Sequence, residues 1–259
     1  MTKIKSVFAV GMPRFNLRAI FLWFVLLGLV FLFARGCLSS VSIAKQSACM
    51  GRLHQIRRAL LAYHEDHGRF PPAFLADANG VPRQSWRVLL LPYLSYDELY
   101  AQYHINESWD SANNRALLSY IPLEYQCPAA HDDIRSGYTN YVLLTGSDTA
   151  FSSITGDSAL VVDGLENTLM VVEVANARIP WTAPVDLTSD TMSLTVDAEG
   201  GYSISSNHPS GPSVLFMDGT KATLHPGLST SDLKSLVTPN GRESITREML
   251  QQQGKIQLQ

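Results

Sequence analysis

The polarity of the chain changes character twice along its length. Residues 19–34, AIFLWFVLLGLVFLFA, carry no polar side chain. As a helix this run spans roughly 24 Å at ~1.5 Å per residue. Gly36, Cys37 and Leu38 extend it toward the ~30 Å of a bilayer core, and Arg35 can snorkel to the headgroups. A helix apolar on every face at this length predicts a membrane span. From residue 39 to 67 the pattern becomes amphipathic. Cys49, Leu53, Ile56, Leu60 and Tyr63 recur at +4, +3, +4 and +3, a helical stripe. Gly68 and then Pro71-Pro72 stop it. Such a stripe must pack on something, and the rest of the chain is the candidate.

Beyond Phe70, turn formers separate short β-rich runs. SWRVLLLPYL (85–94) is a compact apolar segment, and residues 95–104 predict a short helix with Leu99, Tyr100 and Tyr103 facing inward. Strands are expected at 139–146, 158–164, 167–175, 192–196, 201–206, 212–217 and 220–225. The pattern gives an α+β fold: a long N-terminal helix, transmembrane then amphipathic, on a largely antiparallel β-sheet. It divides the chain into a cytoplasmic stub (1–18), a transmembrane helix (19–38), an α+β domain (39–241) and a flexible C-terminal tail (242–259). That tail reads as a short helix or as disordered, and its glutamines favour a mobile end.

Charge sharpens this picture. The net charge is −3, which excludes a general nucleic-acid binder. No Asp or Glu precedes Glu65, whereas Lys3, Lys5, Arg14, Arg18, Arg35, Lys45, Arg52, Arg57 and Arg58 all do. A basic first quarter fits a segment beside an anionic membrane surface. The four basic residues ahead of the apolar run favour a cytoplasmic N-terminus. The expectation is a single-pass protein of the cytoplasmic (inner) membrane with its C-terminal domain outside the cytoplasm. Its expected partners are the lipid bilayer and other proteins, or further copies of itself. Ala34-Arg35-Gly36-Cys37 offers a lipobox-like alternative, with Arg35 a poor fit.

Candidate chemistry is sparse. NHPSGPSVLFMDGT (207–220) brackets an apolar run with His208 and Asp218-Gly219. Asp-Gly between two strand-like runs predicts a hairpin with a type I′ turn, positive φ at both central residues. His208, before Pro209, is expected to bond back to the turn or to nearby backbone. His208, Asp218 and Gly219 are therefore read as a structural signature, not as catalytic groups. No nucleophile elbow, P-loop or dinucleotide fingerprint occurs, so no catalytic residue and no cofactor is assigned. No metal site is assigned either. His64 and His67 are three apart, not the four of zinc proteases. Asp132, Asp133, Asp163, Glu173 and Asp218 offer oxygens for Ca²⁺ without the spacing of a binding loop. If the domain lies outside the cytoplasm, Cys49–Cys127 is the natural disulfide, with two buried free thiols as the other reading.

These stretches, taken in order, resemble a family. LAYHEDHGRFPPAF, SWRVLLLPYL, WDSANN, YQCP, TNYV, Asp163-Gly164 with NTLMVVEVA, IPWTAPVDL and NHPSGPSVLFMDG are similar to a large set of paralogous planctomycete proteins. These carry a prepilin-like N-terminus, a domain of unknown function and a His-x9-Asp-Gly signature near the end. The resemblance implies a pilin- or pseudopilin-like fold from about Cys49 to Gly241, and no biochemical activity. The front differs from processed members: counted from Met12, the fifth residue is Asn16, not the glutamate that registers pilin subunits.

The sequence therefore predicts a non-enzymatic, single-pass protein displaying a pilin-like domain for binding or assembly. A pseudopilin-like subunit of a type IV pilus or type II secretion apparatus is the alternative. A hydrolase or calcium-dependent binding protein is a further one.

Overall fold

The computed structural model describes residues 17–130, 135–151, 161–175, 177–198 and 202–259. In chain order its helices are α1 (Leu17–His67), α2 (Trp86–Leu89), α3 (Asp97–Gln102), α4 (Ala112–Arg115), α5 (Thr230–Val237) and α6 (Arg247–Gln252). Its strands are β1 (Phe74–Ala76), β2 (Pro82–Ser85), β3 (Tyr138–Thr139), β4 (Tyr141–Thr145), β5 (Leu169–Glu173), β6 (Ile179–Pro180), β7 (Leu187–Thr188), β8 (Ser213–Phe216), β9 (Lys221–Leu224) and β10 (Ile256–Leu258). The chain divides into two compact units, Met1–Ile43 and Ala44–Gln259.

In the first unit, the side chains from Phe21 to Phe33 stand open, with Phe21 at 68% and Phe33 at 74% exposure. This is one helix long and apolar enough to cross a membrane, with a window of mean hydropathy 2.2. Apolar groups this exposed do not suit water, and lipid removes the mismatch.

The second unit is an α+β domain. Its main sheet runs in the order β10-β9-β8-β5-β4-β7. Every pairing in it is antiparallel except β4 with β7, which is parallel. Side chains alternate between its two faces, as a pleated strand requires. Tyr141, Leu143, Val171, Leu215 and Met217 face the C-terminal half of α1, where Met50, Leu53, Ile56, Leu60 and Tyr63 meet them. Val142, Leu144, Val172, Val214, Phe216 and Ala222 face the other way, against Leu233 and Leu236 of α5 and Leu250 of α6. The stripe read from the sequence is thus the buried face of α1: Cys49, Leu53, Ile56 and Leu60 are all at 0% exposure. Each such Leu or Ile contributes about 1.5–3 kcal/mol. Gly68 ends α1 at φ +70, its N–H returning 2.8 Å to the carbonyl of His64.

Several expectations need correction. The tail is not a flexible end, because α6 buries Leu250 and β10 pairs with β9 through Ile256–Leu258. Residues 192–196 form no strand and join Ser203 only by an isolated bridge at Ser193. Of the run 158–164, residues 158–160 lie outside the described residues, and 161–164 form no strand. In α3, Leu99 is buried as expected and Tyr103 follows it inward, but Tyr100 is 36% exposed.

Candidate functional site

β8 and β9 pair antiparallel, Ser213 opposite Thr223 and Leu215 opposite Lys221. The turn is not type I′. Gly219 has φ +85, whereas Asp218 is not among the residues with positive φ. The Gly219 N–H reaches the Phe216 carbonyl at 2.9 Å, and the Phe216 N–H reaches the Thr220 carbonyl at 2.9 Å. Both bonds describe a type I turn closed by a left-handed glycine bulge. Asp218 holds it: its carboxylate accepts from the Thr220 N–H (2.7 Å) and hydroxyl (2.9 Å), and pairs with Arg247 of α6 at 2.8 Å.

His208 does not join that turn. It is 4% exposed and points into the layer between α1 and the sheet. Its Nε2 lies 3.0 Å from Cys49 Sγ and 3.2 Å from Cys127 Sγ. The two sulfurs are 2.8 Å apart. Glu173 completes the group: one ligand atom from each residue, the Sγ of Cys49 and Cys127, a ring nitrogen of His208 and a carboxylate oxygen of Glu173, lie within 4.8 Å of one another. All four side chains are buried, Glu173 at 1% exposure and Cys127 at 5%.

Each member arrives from a different element, for local reasons. Cys49 is the first member of the buried stripe of α1. Cys127 follows a short turn, Leu123–Tyr125, and its N–H is fixed by Asn140 Oδ1 at 2.8 Å. Asn140 also bonds the backbone of Tyr125 and Val174, so one side chain and its peptide tie this loop to the end of β5. Arg52, one turn after Cys49, donates to the Gln126 carbonyl. Glu173 is the last residue of β5, on the face of α1. Its two oxygens accept from the Ser206 hydroxyl (2.8 Å) and the Ser213 N–H (2.9 Å). His208 is held by the bend in which its own N–H reaches Ser206 Oγ and its carbonyl accepts from the Gly211 N–H.

The electrostatics follow from burial and closeness. A hydrogen bond from Cys127 holds Cys49 down, to about 5, against the cost of burial, with His208 adding to the effect. The same bond and burial push Cys127 up. Burial, and then the charge on Cys49, push the Glu173 carboxyl up to about 7. Burial pulls His208 down, but the Cys49 hydrogen bond and the charges of Cys49 and Glu173 outweigh it, and the net shift is upward. The cluster is therefore rich in potential negative charge, with one imidazole to balance it.

The sequence placed Cys49 and Cys127 together, and they are together. They are nevertheless free cysteines here, at 2.8 Å instead of the ~2.05 Å of a bond. His208 was expected to bond back to the turn or to nearby backbone, and its ring instead faces the thiols. Of the oxygens considered for calcium, Glu173 lies in this cluster, Asp218 braces the hairpin, and Asp163 accepts from the Arg242 N–H. Asp132 and Asp133 lie outside the described residues. His64 packs on Phe70, and His67 stacks on Tyr63. No local motif betrays the cluster, since Cys49 and Cys127 are 78 residues apart and Cys127 and His208 are 81 apart.

Nearby, a surface cleft of about 490 Å³ is lined by Val174, Ala175, Tyr202, Ser203, Ser206 and Asn207. Ser206 links its wall to Glu173, but the four clustered groups themselves are sealed. The arrangement can hold a proton, close a covalent bridge or grip an ion, and it leaves no room for a substrate between its members.

Comparison with known proteins adds one match. Residues 43–160 match the model of a family described as a protein of unknown function (DUF1559). The match covers Cys49 and Cys127 and ends before Glu173 and His208. No curated protein and no solved structure matches the chain.

Proposed function

We propose that this is a non-enzymatic, single-pass membrane protein that displays its α+β domain outside the cytoplasm for binding or assembly. The observation that carries the reading is the exposed apolar surface of α1 from Phe21 to Phe33, long enough to cross a bilayer. The basic residues ahead of it, Lys3, Lys5, Arg14 and Arg18, favour a cytoplasmic N-terminus in the inner membrane. The match of residues 43–160 to a family of unknown function is consistent with this reading. The sealed cluster of Cys49, Cys127, Glu173 and His208 supports a domain built to be stable, not to turn over a substrate. The test is alkaline-carbonate extraction of the full chain from membranes. The wild type stays in the membrane pellet, and L26D with L29D moves it to the supernatant, at roughly 2.5–3.5 kcal/mol per charged residue at mid-span. Release of the wild type by carbonate contradicts the reading.

A pseudopilin-like subunit is the second reading. One continuous helix supplies both the apolar span and the buried stripe beneath an antiparallel sheet, which is the arrangement such subunits use. Intact mass separates the two: a chain beginning at Met12 supports processing and assembly, and a mass for residues 1–259 supports the simple anchor.

A further inference from the structure

We propose that Cys49, Cys127, Glu173 and His208 form a closed structural zinc site that locks α1 onto the sheet. The four donors are two thiols, an imidazole and a carboxylate, the set that zinc takes in tetrahedral sites. They come from α1, the loop after Leu123–Tyr125, the end of β5 and the loop before β8, and their donor atoms fall within 4.8 Å of one another. Zinc–ligand distances of about 2.0–2.3 Å imply tetrahedral edges of roughly 3.3–3.8 Å, sulfur to sulfur being the longest. The present separations of 2.8, 3.0 and 3.2 Å reach those edges if each side chain moves outward by a few tenths of an ångström.

A disulfide alone accounts for only half of the cluster. Joining the sulfurs leaves the His208 imidazole and the Glu173 carboxylate outside the bond. Among the described residues Glu173 makes no salt bridge with Lys or Arg, although it is 1% exposed. A buried carboxylate beside two thiols is costly unless positive charge balances it, and one imidazole is all that the cluster itself offers. A divalent ion supplies that charge and uses all four donors. Supporting contacts are already in place. Ser206 and Ser213 fix both oxygens of Glu173. The Ala129 N–H points to Cys127 Sγ at 3.4 Å, the kind of bond that steadies a metal-bound thiolate. Four protein ligands and no open position make the site structural, not catalytic.

The test uses the full-length chain, carrying a tag without histidine, expressed in zinc-supplemented medium and purified in detergent without chelator. Elemental analysis is expected to give about one zinc per chain. Both thiols are expected to react only after denaturation with a chelator. Replacing zinc by cobalt is expected to give thiolate-to-cobalt charge-transfer bands and tetrahedral d–d bands. H208N and E173Q are expected to weaken zinc retention on the order of 10- to 100-fold or more. The cobalt spectrum of the wild type keeps the proposal decidable if these variants fail to fold. Three results overturn it. One is Cys49 bridged to Cys127 in the unreduced, denatured chain with no zinc. Another is two free thiols with no zinc and no cobalt bands. The last is full zinc retention in both H208N and C49S.

Discussion

Arg87 is the most completely enclosed charge among the described residues, and removing it probes what its network holds together. Its side chain is at 0% exposure and its partner Asp186 at 4%. Nη1 meets Asp186 Oδ1 at 2.8 Å, Nε donates to the Trp181 carbonyl at 3.0 Å, and Nη2 donates to the carbonyls of Ala183 (3.1 Å) and Val185 (2.8 Å). Asp186 also accepts from Trp86 Nε1 at 3.0 Å and the Leu143 N–H at 2.9 Å. The network therefore joins α2, β4 and the loop before β7. Burial pushes the Asp186 carboxyl up, and Arg87 opposes that push. R87A leaves Asp186 buried without its cation and several carbonyls without a donor. The expected loss is about 3–5 kcal/mol. For a domain of this size that is a fall in Tm of roughly 6–20 °C, at about 2–4 °C per kcal/mol. Thermal unfolding of the full chain in detergent, followed by circular dichroism, reads it. The double variant R87M/D186L should lose less than the sum of its single variants, since it removes both charges together. A fall in Tm of under about 2 °C for R87A would mean that this network does not hold α2, β4 and the loop before β7 together.

Three further outcomes are expected. G211A should destabilise by roughly 1–3 kcal/mol, because Gly211 has φ +99 and an added Cβ would run into the backbone carbonyl of Leu224; chemical denaturation checks it. L250A should cost about 2–5 kcal/mol despite its place near the C-terminus, because Leu250 is at 0% exposure against the second face of the sheet; the same denaturation series reads it. The hydrogen bond from Lys255 holds the Asp232 carboxyl below its usual value. Its contribution is therefore present above the unfolded carboxylate value of about 3.9 and is lost as pH falls through the lower folded value. D232N should remove that part of the acid-side loss, a few tenths to about 1 kcal/mol, measured as unfolding midpoints across an acid pH series.

What was legible in the sequence is what periodicity and turn chemistry govern. The apolar run and the stripe from Cys49 to Tyr63 need only a helical repeat to be seen, and Gly68 with Pro71-Pro72 closes the helix. β4, β5, β8 and β9 are dense in apolar and β-branched residues, so their burial on both faces is written locally. The tail was misread because its pairing partner, Lys221–Leu224, lies far upstream, and polar glutamines mask the anchors Leu250 and Ile256. The turn at Asp218-Gly219 was placed correctly, but its type depends on Asp218 keeping a negative φ while it braces Thr220 and Arg247. Half of the cluster, Cys49 with Cys127, was read from the sequence; that Glu173 and His208 join it was not, for a geometric reason. His208 reads as part of its own hairpin, yet the bend at Ser206–Gly211 turns it across the sheet, to residues 159 positions away in the case of Cys49.

Protease treatment of intact spheroplasts expressing the full chain with epitopes at both ends tests the proposed topology. Loss of the C-terminal epitope without lysis is expected, while a short N-terminal fragment containing residues 1–38 stays protected with the membrane. Protection of the C-terminal epitope until the cells are lysed would contradict it.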